Sequence, residues 1–95
     1  MKTLAIVGAG PGLGLALAKT FGQHDFRVAR LSRRKAQLDE YVQQLRERQI
    51  EAAGFQADVL HAAQVEGALA RVIETFGPVD VLEYSPTPTM KENYS

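Results

Sequence analysis

Residues 4–18 read LAIVGAGPGLGLALA: an apolar run, a glycine-rich segment, and a stretch of leucine and alanine. This order predicts a buried strand, a tight loop and a helix. Glycines at positions 8, 12 and 14 give the spacing G-x-x-x-G-x-G. Such a loop lets a phosphate group approach the backbone where the first free N–H groups of a helix point outward. The stretch therefore predicts a phosphate-binding loop; a glycine-rich turn that binds nothing is the alternative.

Other glycine motifs are excluded by position. The fingerprint G-x-G-x-x-G needs glycine at position 13 or 15, and both positions hold leucine. A Walker A loop needs Gly-Lys before Ser or Thr, but the nearby Lys19 follows Ala18. A G-x-x-G-x-x-G spacing would place Pro11 on its middle glycine. Only G-x-x-x-G-x-G remains.

Each glycine of the loop has an expected physical role. Gly8 permits a positive φ just after the strand. Gly12 leaves space where a pyrophosphate would lie, and Gly14 lets the helix pack closely on the strand.

A signal peptide is a second alternative for this region, because Lys2 precedes an uncharged run over residues 3–18. Its four glycines and Pro11 would break an apolar helix. The run is also shorter than the ~20 residues that span a bilayer. We therefore expect no membrane partner and a cytoplasmic location.

The composition fits one small domain of 95 residues, 45% of them hydrophobic. Absence of cysteine excludes disulfides, zinc–thiolate sites and iron–sulfur clusters. Eleven basic and eleven acidic side chains cancel, so no global field favours nucleic acid. His24 and His61 are interpreted as surface residues rather than metal ligands.

Alternating patterns along the chain predict a β-α-β-α-β-α-β order. The predicted strands span residues 3–7, 26–31, 55–57 and 79–84, and the predicted helices span 13–22, 34–52 (ended by Gly54) and 61–76. Apolar spacing marks the helix faces as Leu13, Leu17 and Phe21; Leu38, Tyr41, Val42 and Leu45; and Val65, Leu69, Val72 and Phe76. Right-handed crossovers give a parallel sheet in the order 3-2-1-4 with the third helix on the opposite face, half of a doubly wound α/β fold. Residues 1–85 form the predicted Rossmann half-domain, and residues 86–95 a truncated tail.

The end of the second strand reads Ser32-Arg33-Arg34, with no acidic residue until Asp39. A carboxylate there would bond a ribose 2′-hydroxyl and repel a 2′-phosphate. Two guanidiniums beside a hydroxyl instead suit a phosphate dianion. In isolation the tripeptide fits a solvated helix start; its position after the glycine loop favours phosphate binding.

The glycine spacing resembles that of the short-chain dehydrogenase/reductase family, whose loop reads T-G-x-x-x-G-x-G, with Val7 in place of the threonine. Residues 79–82 are similar to the start of the family's iDvLVNNAG segment, but residues 83–87 replace Val-Asn-Asn-Ala-Gly. NADP-preferring members carry an arginine at the position of Arg33, after a small residue such as Ser32. The resemblance covers residues 2–84 and implies a Rossmann-type fold with NADP(H) as cofactor.

Asp58 and Val59 follow the third strand. The resemblance implies that the Asp58 carboxylate accepts a hydrogen bond from the adenine amino group. The alternative is that Asp58 satisfies backbone donors near the start of the third helix.

Catalytic residues of the family lie outside the resemblance. The family uses a Tyr-x-x-x-Lys pair with a serine and an asparagine, where the tyrosine is the acid/base. Tyr41 is followed four residues on by Leu45, and Tyr84 by Pro88, while Tyr94 lies one residue from the end. We expect no catalytic residue here and no activity from this chain alone.

The resemblance implies the NADP-binding N-terminal part of an oxidoreductase that transfers hydride between NADPH and a small carbonyl or alcohol, as a homo-oligomer. A stand-alone nucleotide-binding or sensing module, or a non-functional truncated gene product, are the alternatives. The expected cofactor contacts are Gly8, Gly10, Gly12, Leu13, Gly14, Ser32, Arg33, Arg34, Asp58, Val59, Ser85 and Pro86.

Overall fold

A computed structural model describes residues 1–8 and 11–84 of the chain. Its elements are β1 (Lys2–Val7), α1 (Pro11–Gly22), β2 (Phe26–Ser32), α2 (Lys35–Glu47), β3 (Ala52–Gln56), α3 (Ala62–Phe76) and β4 (Val81–Tyr84). The strands pair in parallel in the order β3-β2-β1-β4. The predicted alternation and strand order are confirmed.

Two apolar layers cover the sheet, one on each face. Alternate residues of β1 point to opposite sides, so Leu4 and Ile6 belong to one layer and Ala5 and Val7 to the other. The first layer also contains residues of α1 and α2, and the second contains Val65, Ala68 and Val72 of α3. As predicted, α1 and α2 therefore share one face and α3 covers the other.

Small residues let α1 approach the core closely. Ala18 is fully buried, whereas Leu13 is 54% exposed. A Cβ built at Gly22 would stand 2.6–2.8 Å from three side-chain atoms of Ile50. The prediction that Leu13 shares the buried face of α1 is wrong. Leu17 and Phe21 do pack, partly buried, against the core.

The connection from α2 to β3 differs from the predicted helix over 34–52. The helix ends at Glu47 and the chain reverses at Gln49, whose φ is +65°. The Ile50 N–H donates to the Leu45 carbonyl at 3.0 Å, which closes the turn. Turning there buries Ile50 to 6% exposure, so side-chain burial ends the helix and Gly54 lies inside β3 instead.

Strand β4 forms one edge of the sheet, and β3 forms the other. Strand β4 begins at Val81 rather than at the predicted Val79. Just before it, the Asp80 carboxylate accepts a hydrogen bond from the Thr3 N–H at 2.8 Å, so this N–H is not available to a strand carbonyl. Within the described residues α3 contacts β1, β2 and β3 but not β4. Leu82 and Tyr84, on the α3 side of β4, are therefore 49% and 55% exposed.

Candidate functional site

The segments that carry the predicted site all leave the sheet on the side where the strands have their carboxyl ends. In the parallel register Val7 pairs with both Leu31 and Tyr84, and Ser32 pairs with Gln56. The glycine loop, residues 32–34 and Asp58 thus all follow the carboxyl ends of neighbouring strands. Ligands of open α/β sheets bind at this edge, next to the strand where the order reverses. Here that strand is β1, because β2 and β4 flank it.

The described part of the glycine loop has the features expected of a phosphate cradle. Gly8 has a φ of +79°, which confirms the predicted turn. Helix α1 begins at Pro11, which has no N–H. The N–H groups of Gly12 and Leu13 lie in the first turn of the helix, where they have no intrahelical partner. A Cβ built at Gly12 would meet nothing within 4 Å. The backbone is therefore open to a ligand there, and the residues present fit a pyrophosphate.

Gly14 serves packing, as predicted, although its neighbour is a side chain. A Cβ at Gly14 would stand 2.7 Å from Nη1 of Arg30, which extends from β2. The Gly14 carbonyl accepts a 2.9 Å hydrogen bond from the buried hydroxyl of Tyr41. Burial raises the pKa of Tyr41 to about 12, against the opposing effect of the Arg30 guanidinium. The hydroxyl therefore keeps its proton and remains a donor.

The segment after β2 presents two exposed guanidiniums to solvent. Among the described residues, the guanidinium of neither Arg33 nor Arg34 forms a hydrogen bond or an ion pair, and the Arg33 carbonyl accepts a hydrogen bond from the Gln56 side chain. The Ser32 hydroxyl oxygen accepts only a long contact, 3.4 Å, from the Arg34 N–H. The next cation, Lys35, pairs with Asp39 at 3.1 Å along α2. Ser32, Arg33 and Arg34 thus remain available to an anion.

Asp58 lies close enough to Arg33 for that charge to act on its carboxylate. The N–H of Leu60 donates to Asp58 Oδ1 at 3.0 Å and, with smaller contributions from His61 and Arg33, holds the pKa of Asp58 below its usual range. His61 Nδ1 lies 2.9 Å from Asp58 Oδ2. Asp58 therefore does satisfy a backbone donor near α3. Each carboxylate oxygen has a second lone pair, so this leaves an acceptor for a ligand amine. Val59 packs, partly buried, against the α3-side core.

Three predicted site residues, Gly10, Ser85 and Pro86, lie outside the described residues, as does the predicted tail over 86–95. Arg30 and His61 are neighbours of the site that the sequence did not assign to it. A cation in an apolar strand was the available signal for Arg30, and the spacing of three from Asp58 at a helix start was the signal for His61.

Residues 1–8 and 11–84 contain neither a metal-binding cluster nor a helix that could span a membrane. This part of the chain holds no group of three or more histidine or acidic side chains placed to bind a metal ion. Its helices are also too short or too polar for any of them to cross a bilayer.

Comparison with known proteins agrees with the fold. The sequence profile described as short chain dehydrogenase matches residues 2–89. A putative ketoacyl reductase of Streptomyces coelicolor is 38% identical over 77 residues, which is 81% of this chain and 30% of that protein.

Two crystal structures show the same likeness. A variant of actinorhodin polyketide ketoreductase with NADPH aligns with a TM-score of 0.80 at 36% identity, covering 85% of this chain and 31% of that one. NAD⁺-bound xylitol dehydrogenase aligns with a TM-score of 0.79 at 30% identity, with the same coverage of 85% and 31%. The chain thus spans about a third of the length of these relatives. The matched part corresponds to the dinucleotide-binding fold of oxidoreductases. By profile match and by structure, the chain belongs to the short-chain dehydrogenase family.

Proposed function

We propose that this chain is the NADP-binding N-terminal part of an oxidoreductase that transfers hydride between NADPH and a small carbonyl or alcohol. The observation that carries the proposal is the Ser32-Arg33-Arg34 segment at the carboxyl end of β2, which presents two exposed guanidiniums and contains no acidic residue. Relatives in this family were solved with NADPH and with NAD⁺, so membership alone does not choose between them.

The chain's own residues divide the proposed binding between two phosphate positions. The N–H groups of Gly12 and Leu13 would donate to the pyrophosphate, and the positive end of α1 adds to that attraction. Ser32, Arg33 and Arg34 would hold the 2′-phosphate through charge-assisted hydrogen bonds. When bound, the nicotinamide supplies or accepts the hydride.

Asp58 and Val59 would border the adenine. The Asp58 carboxylate is ionised at neutral pH, as an ordinary aspartate is, and the Leu60 N–H lowers its pKa further, so it would act as an acceptor for an exocyclic amine. We assign residues 1–85 to this cofactor-binding unit, and we expect the protein that contains it to be a cytoplasmic homo-oligomer. Substrate contacts and the acid/base pair belong, in this proposal, to sequence beyond the chain.

The experiment is a comparison of two neighbouring cations. Loss of one charge-assisted contact costs about 1.5–3 kcal/mol, so Arg33→Ala should weaken NADPH binding roughly 10- to 150-fold. NADH binding should be unchanged. Lys35→Ala removes the same charge two residues away, from a side chain already paired with Asp39, and should change either affinity less than about threefold. Equal losses in the two variants would show that the segment attracts NADPH by net charge alone and would refute the assignment.

A further inference from the structure

Arg30 occupies a position in β2 where the neighbouring side chains of the sheet are apolar. It pairs with Ile6 in the register and is only 9% exposed. Its neighbour on the same face, Val28, is fully buried in the α1 and α2 layer. Burying a cation among apolar side chains is unfavourable unless specific contacts compensate for it. The contacts of Arg30 must therefore offset the cost of burying its charge.

The Arg30 guanidinium lies against α2 and against the first turn of α1. Its Cζ atom is 4.6 Å from the centroid of the Tyr41 ring, within the range of cation–π attraction. The same Cζ would be 3.1 Å from a Cβ at position 14, so the missing side chain of Gly14 admits the guanidinium. The Tyr41 hydroxyl bonds to the Gly14 carbonyl. Arg30, Tyr41 and Gly14 thus fix the start of α1 relative to the end of β2.

This fixed charge lies close to the proposed phosphate contacts. Arg30 and Ser32 are on the same face of β2, and the strand rises about 6.6 Å over two residues. Both line a cleft of about 190 Å³ between α1 and α2, together with Leu15, Gln37, Glu40 and Gln44. At physiological ionic strength the screening length is about 8 Å, and buried charges are screened less. The Arg30 charge therefore belongs to the same cleft as the Ser32 side chain, which the Glu40 carboxylate also lines.

We propose that Arg30 is a positioning residue that also determines cofactor specificity: its buried guanidinium fixes the first turn of α1 against β2 and adds positive charge to the cleft that Ser32 lines. This inference rests on the proposed NADP binding. Arg30 acts through the position of α1 and through its field, whereas Arg33 is exposed and would contact the phosphate directly. A purely packing role would influence NADP⁺ and NAD⁺ equally, because both carry the pyrophosphate and only NADP⁺ carries the 2′-phosphate.

The test measures NADP⁺ and NAD⁺ affinities by calorimetry, at low and at high salt, for the wild-type chain and for Arg30→Met, Arg30→Lys and Tyr41→Phe. Arg30→Met should weaken NADP⁺ binding about 3- to 10-fold more than NAD⁺ binding, because only NADP⁺ carries the 2′-phosphate charge that a nearby cation attracts. That difference should shrink at high salt. Arg30→Lys should retain most of the preference. Tyr41→Phe, which removes a neutral contact to α1, should weaken both cofactors by a similar factor.

The outcomes separate this inference from the proposed function. Equal losses of both cofactors in Arg30→Met would reduce Arg30 to packing and overturn the inference. So would an unchanged preference in Arg30→Met while Arg33→Ala abolishes it, and in that case the proposed function stands. A wild-type chain that binds neither cofactor would overturn both. If thermal melting shows that Arg30→Met is unfolded, Arg30→Gln is compared with Arg30→Lys: a smaller NADP⁺ preference in Arg30→Gln supports the inference, and equal preferences in the two variants refute it.

Discussion

Two glycines of α1 predict opposite outcomes for the same substitution. A Cβ at Gly12 would meet nothing within 4 Å, whereas a Cβ at Gly22 would stand 2.6 Å from Cδ1, 2.7 Å from Cγ1 and 2.8 Å from Cγ2 of Ile50. Ile50 is 6% exposed and packs in the core, so it has little room to move. Gly12→Ala should therefore affect the ligand and not the fold, and Gly22→Ala should affect the fold and not the ligand.

The magnitudes follow from the contacts. Overpacking a core site costs about 1–3 kcal/mol, and replacing glycine by alanine in a helix returns up to about 1 kcal/mol. Gly22→Ala should therefore lose about 1–2 kcal/mol of unfolding free energy, which lowers the Tm of a domain this size by roughly 5–15 °C. Gly12→Ala should stay within about 0.5 kcal/mol of wild type. It should weaken NADPH binding about 10- to 100-fold, because the methyl group stands where phosphate oxygens would reach the N–H groups of the first turn.

Thermal melting and NADPH titration of both variants form the assay, and each variant is the control for the other. Normal NADPH binding by Gly12→Ala would show that the glycine loop is only a turn. An unchanged Tm in Gly22→Ala would contradict the close packing of α1 on Ile50.

Two further predictions concern stability and association. Because burial raises the pKa of Tyr41 to about 12, the unfolded chain releases this proton above pH 10 and the folded chain does not. The unfolding free energy should thus fall between pH 10 and about 12, by about 2–3 kcal/mol from this group. Urea titrations should show a correspondingly smaller fall for Tyr41→Phe. If the unfolding free energy of wild type and of Tyr41→Phe falls equally with pH, the role of Tyr41 is refuted. At the edge strand, Leu82 is 49% exposed, so the 95-residue chain should self-associate with rising concentration. Sedimentation should show less association for Leu82→Lys but not for Leu60→Lys, a control that is 55% exposed in the turn before α3; a wild-type monomer at every concentration would contradict this prediction.

The order of apolar strands and amphipathic helices was sufficient for the topology, because right-handed crossovers between parallel strands leave few arrangements. It was insufficient where burial depends on a distant partner. The end of α2 depends on Ile50 finding space beside Gly22, and no local signal announces that contact. Gly54 follows the rule for a helix end, yet it lies in β3, where a Cβ would be 3.0 Å from Leu38 Cβ. Glycine marked close packing there rather than a turn.

The candidate site shows the same division. Gly8, Gly12 and the cations after β2 could be identified because they are sequential features at strand ends. The neighbours that support them, Arg30 and Tyr41, could not. Tyr41 reads as one more apolar residue on the face of α2, and its hydrogen bond to the Gly14 carbonyl exists only once α1 and α2 are packed side by side.

Calorimetric titration of the wild-type chain with NADPH and with NADH, at one fixed ionic strength, tests the central claim most directly. The claim is that the glycine loop and the Ser32-Arg33-Arg34 segment together form an NADP site. We expect one site per chain and a preference for NADPH of more than about tenfold, since one charge-assisted contact contributes about 1.5–3 kcal/mol. Equal affinity for the two cofactors, or no binding of either by a folded chain, would contradict it.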